Sequence, residues 1–108
     1  MTWFRNPIAK PSPPETPLGM NIFELQIRVT YQLHRIKNLW KASESVLPAY
    51  RRQRVMDSIQ IALRSHKAAQ KYLENNDYHE AKRLMEATYR TLSYVIFHLE
   101  KVISEKQR

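Results

Sequence analysis

The 108-residue chain has room for one domain and no more. It has no cysteine and a single glycine, Gly19. That excludes disulfides, thiolate metal sites and cysteine nucleophiles, and also the glycine-rich phosphate loops, Rossmann turns and hairpin-rich sheets that need positive φ or close backbone approach. Eighteen Lys and Arg against ten Asp and Glu give a net charge of +8, which favours an anionic partner: nucleic acid, an anionic membrane or an acidic protein.

Residues 1–20 hold Pro7, Pro11, Pro13, Pro14 and Pro17, all but one of the prolines. Proline fixes φ and lacks an N–H, so this stretch reads as a flexible, extended, polyproline-like arm. Trp3 and Phe4 are unusual in a spacer. The arm is either a poorly ordered terminus or an anchor that seats these two rings in a groove on a protein partner. It lacks the apolar core of a secretory signal and the amphipathic helix of a transit peptide, which together with the missing cysteines fits a reducing, cytoplasmic location.

From residue 21 to 108 the pattern is that of a helical bundle. Asn21 and Glu24 form a capping-box pair, and Ile22, Leu25, Val29, Leu33, Ile36, Leu39 and Trp40 then recur at three- and four-residue spacing. This predicts a first helix over about residues 21–45, ended by Pro48, which also suits the opening turn of the next. The second helix, about 48–74, carries Val55, Met56, Ile59, Ala62, Leu63, Ala69 and Leu73 on one face. The polar run from Glu74 to Asp77 breaks it, and Asp77 with Glu80 makes a second capping-box pair. A third helix follows over about 78–105, with Ala81, Leu84, Met85, Thr88, Leu92, Val95, Ile96, Leu99, Val102 and Ile103 as its stripe. Each would be about 38 Å long, and the short connections favour antiparallel neighbours. No window has the roughly 18 apolar residues of a membrane span. Tyr31, Ile61, Tyr72, Tyr94 and Phe97 fall off the stripes; they are either half-buried at bundle edges or covered in a homo-oligomer or by a larger protein.

The charge is unevenly placed. Residues 21–73 carry ten basic side chains against Glu24, Glu44 and Asp57, whereas residues 74–108 carry six of each sign. Arg64, Lys67 and Lys71 share the face opposite the second helix's apolar stripe, with Gln60 a turn earlier. Arg51, Arg52 and Arg54 crowd the start of that helix, where cations oppose the dipole, and phosphate binding is a demand that would place them there. Together with Arg35, Lys37 and Lys41 of the first helix, these make nine candidate nucleic-acid-binding residues; the alternative is a solvated charged face.

Catalytic chemistry finds little footing. His34, His66, His79 and His98 include no i, i+4 pair and no Glu-x-x-His, so neither a metal nor another cofactor is expected. His66 lies within the second apolar stripe and reads as core packing. Ser43, Ser45, Ser58 and Ser65 lack an acid–base partner at an interpretable spacing. Arg28 and His34 make an Arg-x5-His string similar to that of the HEPN ribonucleases, but six residues on an unbroken helix set the two side chains about 120° apart. Neither a catalytic residue nor a small-molecule substrate is expected.

Leu47, Pro48, Arg51, Arg52 and Arg54, then a long amphipathic helix, a polar break and Ala81, Leu84, Ala87 and Leu92, resemble another group of bundles. These are the small four-helix proteins that accompany reverse transcriptases of diversity-generating retroelements, with their relatives encoded in ribosomal RNA intervening sequences. The resemblance runs from Leu47 to Leu99, about half the chain. It implies a non-enzymatic, basic bundle that forms a ring-like homo-oligomer and binds the reverse transcriptase with its RNA. This sequence departs from the family in carrying three helices rather than four and in its proline-rich arm.

The expectation is therefore an all-α fold, an antiparallel bundle of three long helices with a proline-rich extended N-terminal arm. It would serve as a non-enzymatic accessory protein binding RNA or DNA phosphates in a nucleoprotein or reverse-transcriptase assembly. The competing expectations are a structural adaptor that meets an acidic protein through its arm and exposed aromatics, and a HEPN-like bundle ribonuclease.

Overall fold

Three long helices account for nearly all of residues 20–106, the part of the chain that the computed structural model describes: α1 (Ile22–Ala42), α2 (Ala49–Glu74) and α3 (Tyr78–Lys106). The fold is all-α, as the periodicity predicts. Trp3, Phe4 and the rest of the proline-rich stretch before Met20 lie outside the described residues.

Local chemistry sets the helix ends. Asn21 caps α1 through a complete capping box: its side chain accepts the Glu24 N–H at 2.9 Å and the Glu24 carboxylate accepts the Asn21 N–H at 3.4 Å. Such a cap contributes about 1 kcal/mol. The α-helix stops at Ala42, and a 3₁₀ turn, Ser43–Ser45, completes the stretch expected to be helical. Ser43 is fully buried there, its hydroxyl donating to the Trp40 carbonyl at 2.8 Å. Pro48 sits in an extended conformation before α2, and its carbonyl accepts the N–H groups of Arg51 and Arg52, each at 3.0 Å. Between α2 and α3, Asn76 takes φ 63°, a left-handed conformation that asparagine tolerates better than most residues. Only half of the second capping box forms. The Glu80 N–H donates to Asp77 at 3.2 Å, but the Glu80 carboxylate accepts from Arg83 instead of reaching back.

The three helices run up, down, up, with α3 in the middle. α1 and α2 each pack along α3, while α1 and α2 pack far less closely against each other. Their bridges are Gln26 Nε2 donating to Gln70 Oε1 at 3.3 Å and the Arg52 guanidinium lying 4.1 Å from the centre of the Trp40 ring. Burial follows from this placement. At 100° per residue the buried residues of α1 (Ile22, Leu25, Val29, Gln32, Ile36) and of α2 (Val55, Ile59, Ala62, Ala69) each span a sector of about 80°. Those of α3, from Ala81 and Met85 through Tyr89 and Ser93 to Leu99, span about 160°. A helix covered on one side buries one stripe; a helix covered on two buries nearly half its surface.

The central position of α3 accounts for the departures from the predicted stripes. Tyr89 and Ser93 face α1, where Gln32 Nε2 donates to the Tyr89 carbonyl at 3.2 Å and to the Ser93 hydroxyl at 2.9 Å. None of the three belongs to an apolar stripe, yet all are buried. Leu63, expected on the core face, remains 39% exposed at the edge of α2. Against α3, α2 presents Ala62 and Ala69, and α3 answers with Ala81; small side chains let two helix backbones come close.

Candidate nucleic-acid interface

The basic cluster at the start of α2 is divided by helical geometry. Arg51 and Arg54 are about 60° apart around the axis, whereas Arg52 points about 100° away from Arg51, towards α1. There Arg52 is half-buried over Trp40 and also donates to the Ser43 hydroxyl at 3.4 Å. Of the three arginines expected to meet phosphate, Arg52 is thus engaged inside the fold, holding α2 to the end of α1. Arg51 and Arg54 stay exposed.

Because α2 and α3 are antiparallel, the start of α2 lies beside the second half of α3. Arg51, Arg54, Val55 and Ser58 of one helix and Tyr94, Val95 and His98 of the other line a groove of about 450 Å³. Val55 and Val95 are its buried floor, and Tyr94, 60% exposed, stands in its wall. Tyr50, also exposed, precedes Arg54 by one turn. The sequence singled out Tyr94 only as an aromatic off its stripe, and it gave Ser58 and His98 no place in binding.

Burial lowers the pKa of His98, and the charges of Arg51 and Lys101 lower it further against the opposing pull of Glu105. Burial likewise lowers that of His66, whose Nε2 lies 3.3 Å from the Gln70 amide nitrogen. Both folded-state values lie below the unfolded one, so the unfolded chain takes up protons first as pH falls. Stability is fully present above the ordinary histidine value of 6.5 and is lost as pH falls through the lowered folded values. The thermal midpoint is expected to drop between about pH 7.5 and about pH 5.5, and to drop less in a His66→Gln, His98→Gln variant. Equal pH dependence in the two proteins would contradict this.

The remaining candidates are dispersed. Arg35 is tied to Glu100 of α3 in an exposed ion pair, which contributes at most about 1 kcal/mol. Lys37 and Lys41 are exposed along the second half of α1. Arg64, Lys67 and Lys71 line the outer face of α2, all exposed and without an ion pair among the described residues. Arg64 is about 15 Å along the axis from Arg54 and about 80° further round, so the row continues from the groove over the outside of α2.

No protein family, curated protein or solved structure matches this chain.

Among the described residues no group of three or more His, Cys, Asp or Glu could hold a metal ion, and no helix is long and apolar enough to cross a membrane. Arg28 and His34 do not converge. His34 lines a shallow hollow of about 360 Å³ with Gln26, Ile27, Thr30 and Tyr31, and Arg28 is not among its walls. That hollow belongs to a second apolar stripe on the outer face of α1, where Phe23, Ile27 and Tyr31 are 58%, 70% and 74% exposed. Their four-residue spacing was readable in the sequence. This stripe lies on the side of the helix away from the stronger stripe through Leu25 and Val29.

Proposed function

We propose that this protein is a non-enzymatic accessory subunit that binds the phosphates of RNA or DNA with the basic side of α2, within a nucleoprotein assembly. One observation carries the reading: Arg51 and Arg54, exposed, meet Tyr94, Ser58 and His98 in a single groove. Arginine forks match phosphate oxygens, and Arg51 in the first turn of α2 opposes the dipole until an anion arrives. Arg64, Lys67 and Lys71 extend the positive track beyond the groove. The likeness of Leu47–Leu99 to accessory proteins of reverse transcriptases agrees in kind and leaves the enzyme partner as part of the proposal.

Fluorescence anisotropy with labelled RNA and DNA oligonucleotides at two salt concentrations tests it. With three to four phosphate contacts, affinity is expected to fall on the order of 20- to 150-fold between about 50 and 200 mM salt. Absence of binding at low salt, or a salt-independent isotherm, removes the reading.

A second reading, a structural adaptor, is favoured by the exposed Phe23, Ile27 and Tyr31 on α1. An apolar stripe of this kind suits a protein surface rather than phosphates. Self-association abolished by Ile27→Asp, in a protein that binds no oligonucleotide, would select it.

A further inference from the structure

We infer that the groove between α2 and α3 takes one unpaired nucleotide of a single-stranded nucleic acid, with the base stacked on Tyr94 and the flanking phosphates on Arg51 and Arg54. The inference rests on the nucleic-acid reading and narrows it to a class of ligand.

Shape is the first argument. The bases of a duplex are paired and stacked inside it, so a duplex offers a small pocket its phosphates and groove edges but no free base to insert. The α2–α3 site is concave. Its volume of about 450 Å³ lies near the lower end of the roughly 300–1,000 Å³ typical of small-ligand sites, room for a single nucleotide. Only a strand whose bases are free to turn outward can place one there.

The lining is the second argument. A base needs a flat aromatic partner, an apolar floor and a few polar groups at its edge. Tyr94 offers a ring that the rest of the fold leaves 60% exposed. Val55 and Val95 form the buried floor, and the half-buried Ser58 hydroxyl and His98 imidazole add donor and acceptor atoms to the lining. Arg51 and Arg54 bring two positive charges to the same opening. Stacking is tolerant of base identity and is worth roughly 5- to 150-fold in affinity per base. The groove is therefore suited to single strands with weak sequence preference. A duplex would engage the outer row of Arg64, Lys67 and Lys71 and leave Tyr94 untouched.

The test uses the full chain, labelled oligo-dT and oligo-U of about 12 nucleotides, and a hairpin duplex of matching length. Single strands are expected to bind at least about tenfold tighter than the duplex. Tyr94→Leu keeps helix propensity and apolar bulk; it should weaken single-strand binding at least about fivefold, leave duplex binding within about twofold and preserve the salt slope. Tyr94→Phe should bind as the parent does. Arg51→Gln with Arg54→Gln should reduce the single-strand salt slope by about 1.4. Circular dichroism and the thermal midpoint confirm that each variant is folded. Equal affinity for single strand and duplex, or a Tyr94→Leu variant that binds normally, overturns the inference while salt-dependent binding preserves the broader reading. Displacement of the oligonucleotide by thymidine or uridine monophosphate at equal nucleotide concentration overturns it in favour of a free-nucleotide site. No binding to any probe overturns both.

Discussion

Leu92→Ala is expected to lower the unfolding free energy by about 3–5 kcal/mol, enough to leave a small domain partly unfolded at room temperature. The size of the effect comes from the place of Leu92 on α3. The side chain is fully buried near the middle of the wide buried sector, between the flank that meets α1 through Tyr89 and Ser93 and the flank that meets α2 through Thr88 and Val95. Cavity cost grows where neighbours cannot collapse inward, and Leu25, Val29, Met85 and Leu99 are themselves fully buried. Leu63→Ala removes the same group from a half-exposed site on α2 and should cost less than about 1 kcal/mol. Urea unfolding of the two variants measures the difference. A loss below about 1.5 kcal/mol for Leu92→Ala would mean that α3 is not the shared core of the fold.

The contrast between Leu92 and Leu63 also marks what could be read from the sequence. Features decided within a few residues were legible: the Asn21–Glu24 box, the stop at Pro48, the turn through Asn76. So were the three helices and most of their apolar faces. Stripe reading assigns each helix one buried face, and that assumption fails for α3, which is covered from two sides. Gln32, Tyr89 and Ser93 do not stand out in the pattern for that reason: the α1–α3 contact buries them, and the Gln32 amide nitrogen donates there to the Tyr89 carbonyl and the Ser93 hydroxyl, while its Oε1 is buried without a partner.

The candidate site was legible in part for the same reason. Arg51 and Arg54 stood out as cations placed against a dipole, which is a local signal. Arg52 stood beside them with an identical signal, and its engagement by Trp40 depends on how α1 and α2 meet across the bundle. Tyr94 and His98 needed the register of α2 against α3. That register was in principle available. Arg51 and His98 lie nearly the same distance from the turn at Asn75–Asp77, so an antiparallel hairpin brings them level, and a helix register read outward from the turn would have found the pair.

Reversing the two groove charges with Arg51→Glu and Arg54→Glu is expected to weaken oligonucleotide binding on the order of 100-fold or more near 0.1 M salt, because two attractions become two repulsions. The salt slope should fall by about 1.4 to 1.8, the share of two phosphate contacts. The fold should not pay for this. Arg51 occupies the third position of α2, no side chain caps that helix, and a glutamate there suits the dipole by about 0.3–1 kcal/mol. The double variant should therefore be at least as stable as the parent while losing its ligand, a combination that general damage to the bundle cannot produce. Arg52→Glu should behave in the opposite way. It breaks the stacking on Trp40 and the contact with Ser43, so the thermal midpoint falls while the salt slope of the folded protein stays near that of the parent. If Arg52→Glu abolishes binding as fully as the groove pair does without destabilising the chain, the division of the cluster between fold and ligand is wrong, and all three arginines serve the phosphate.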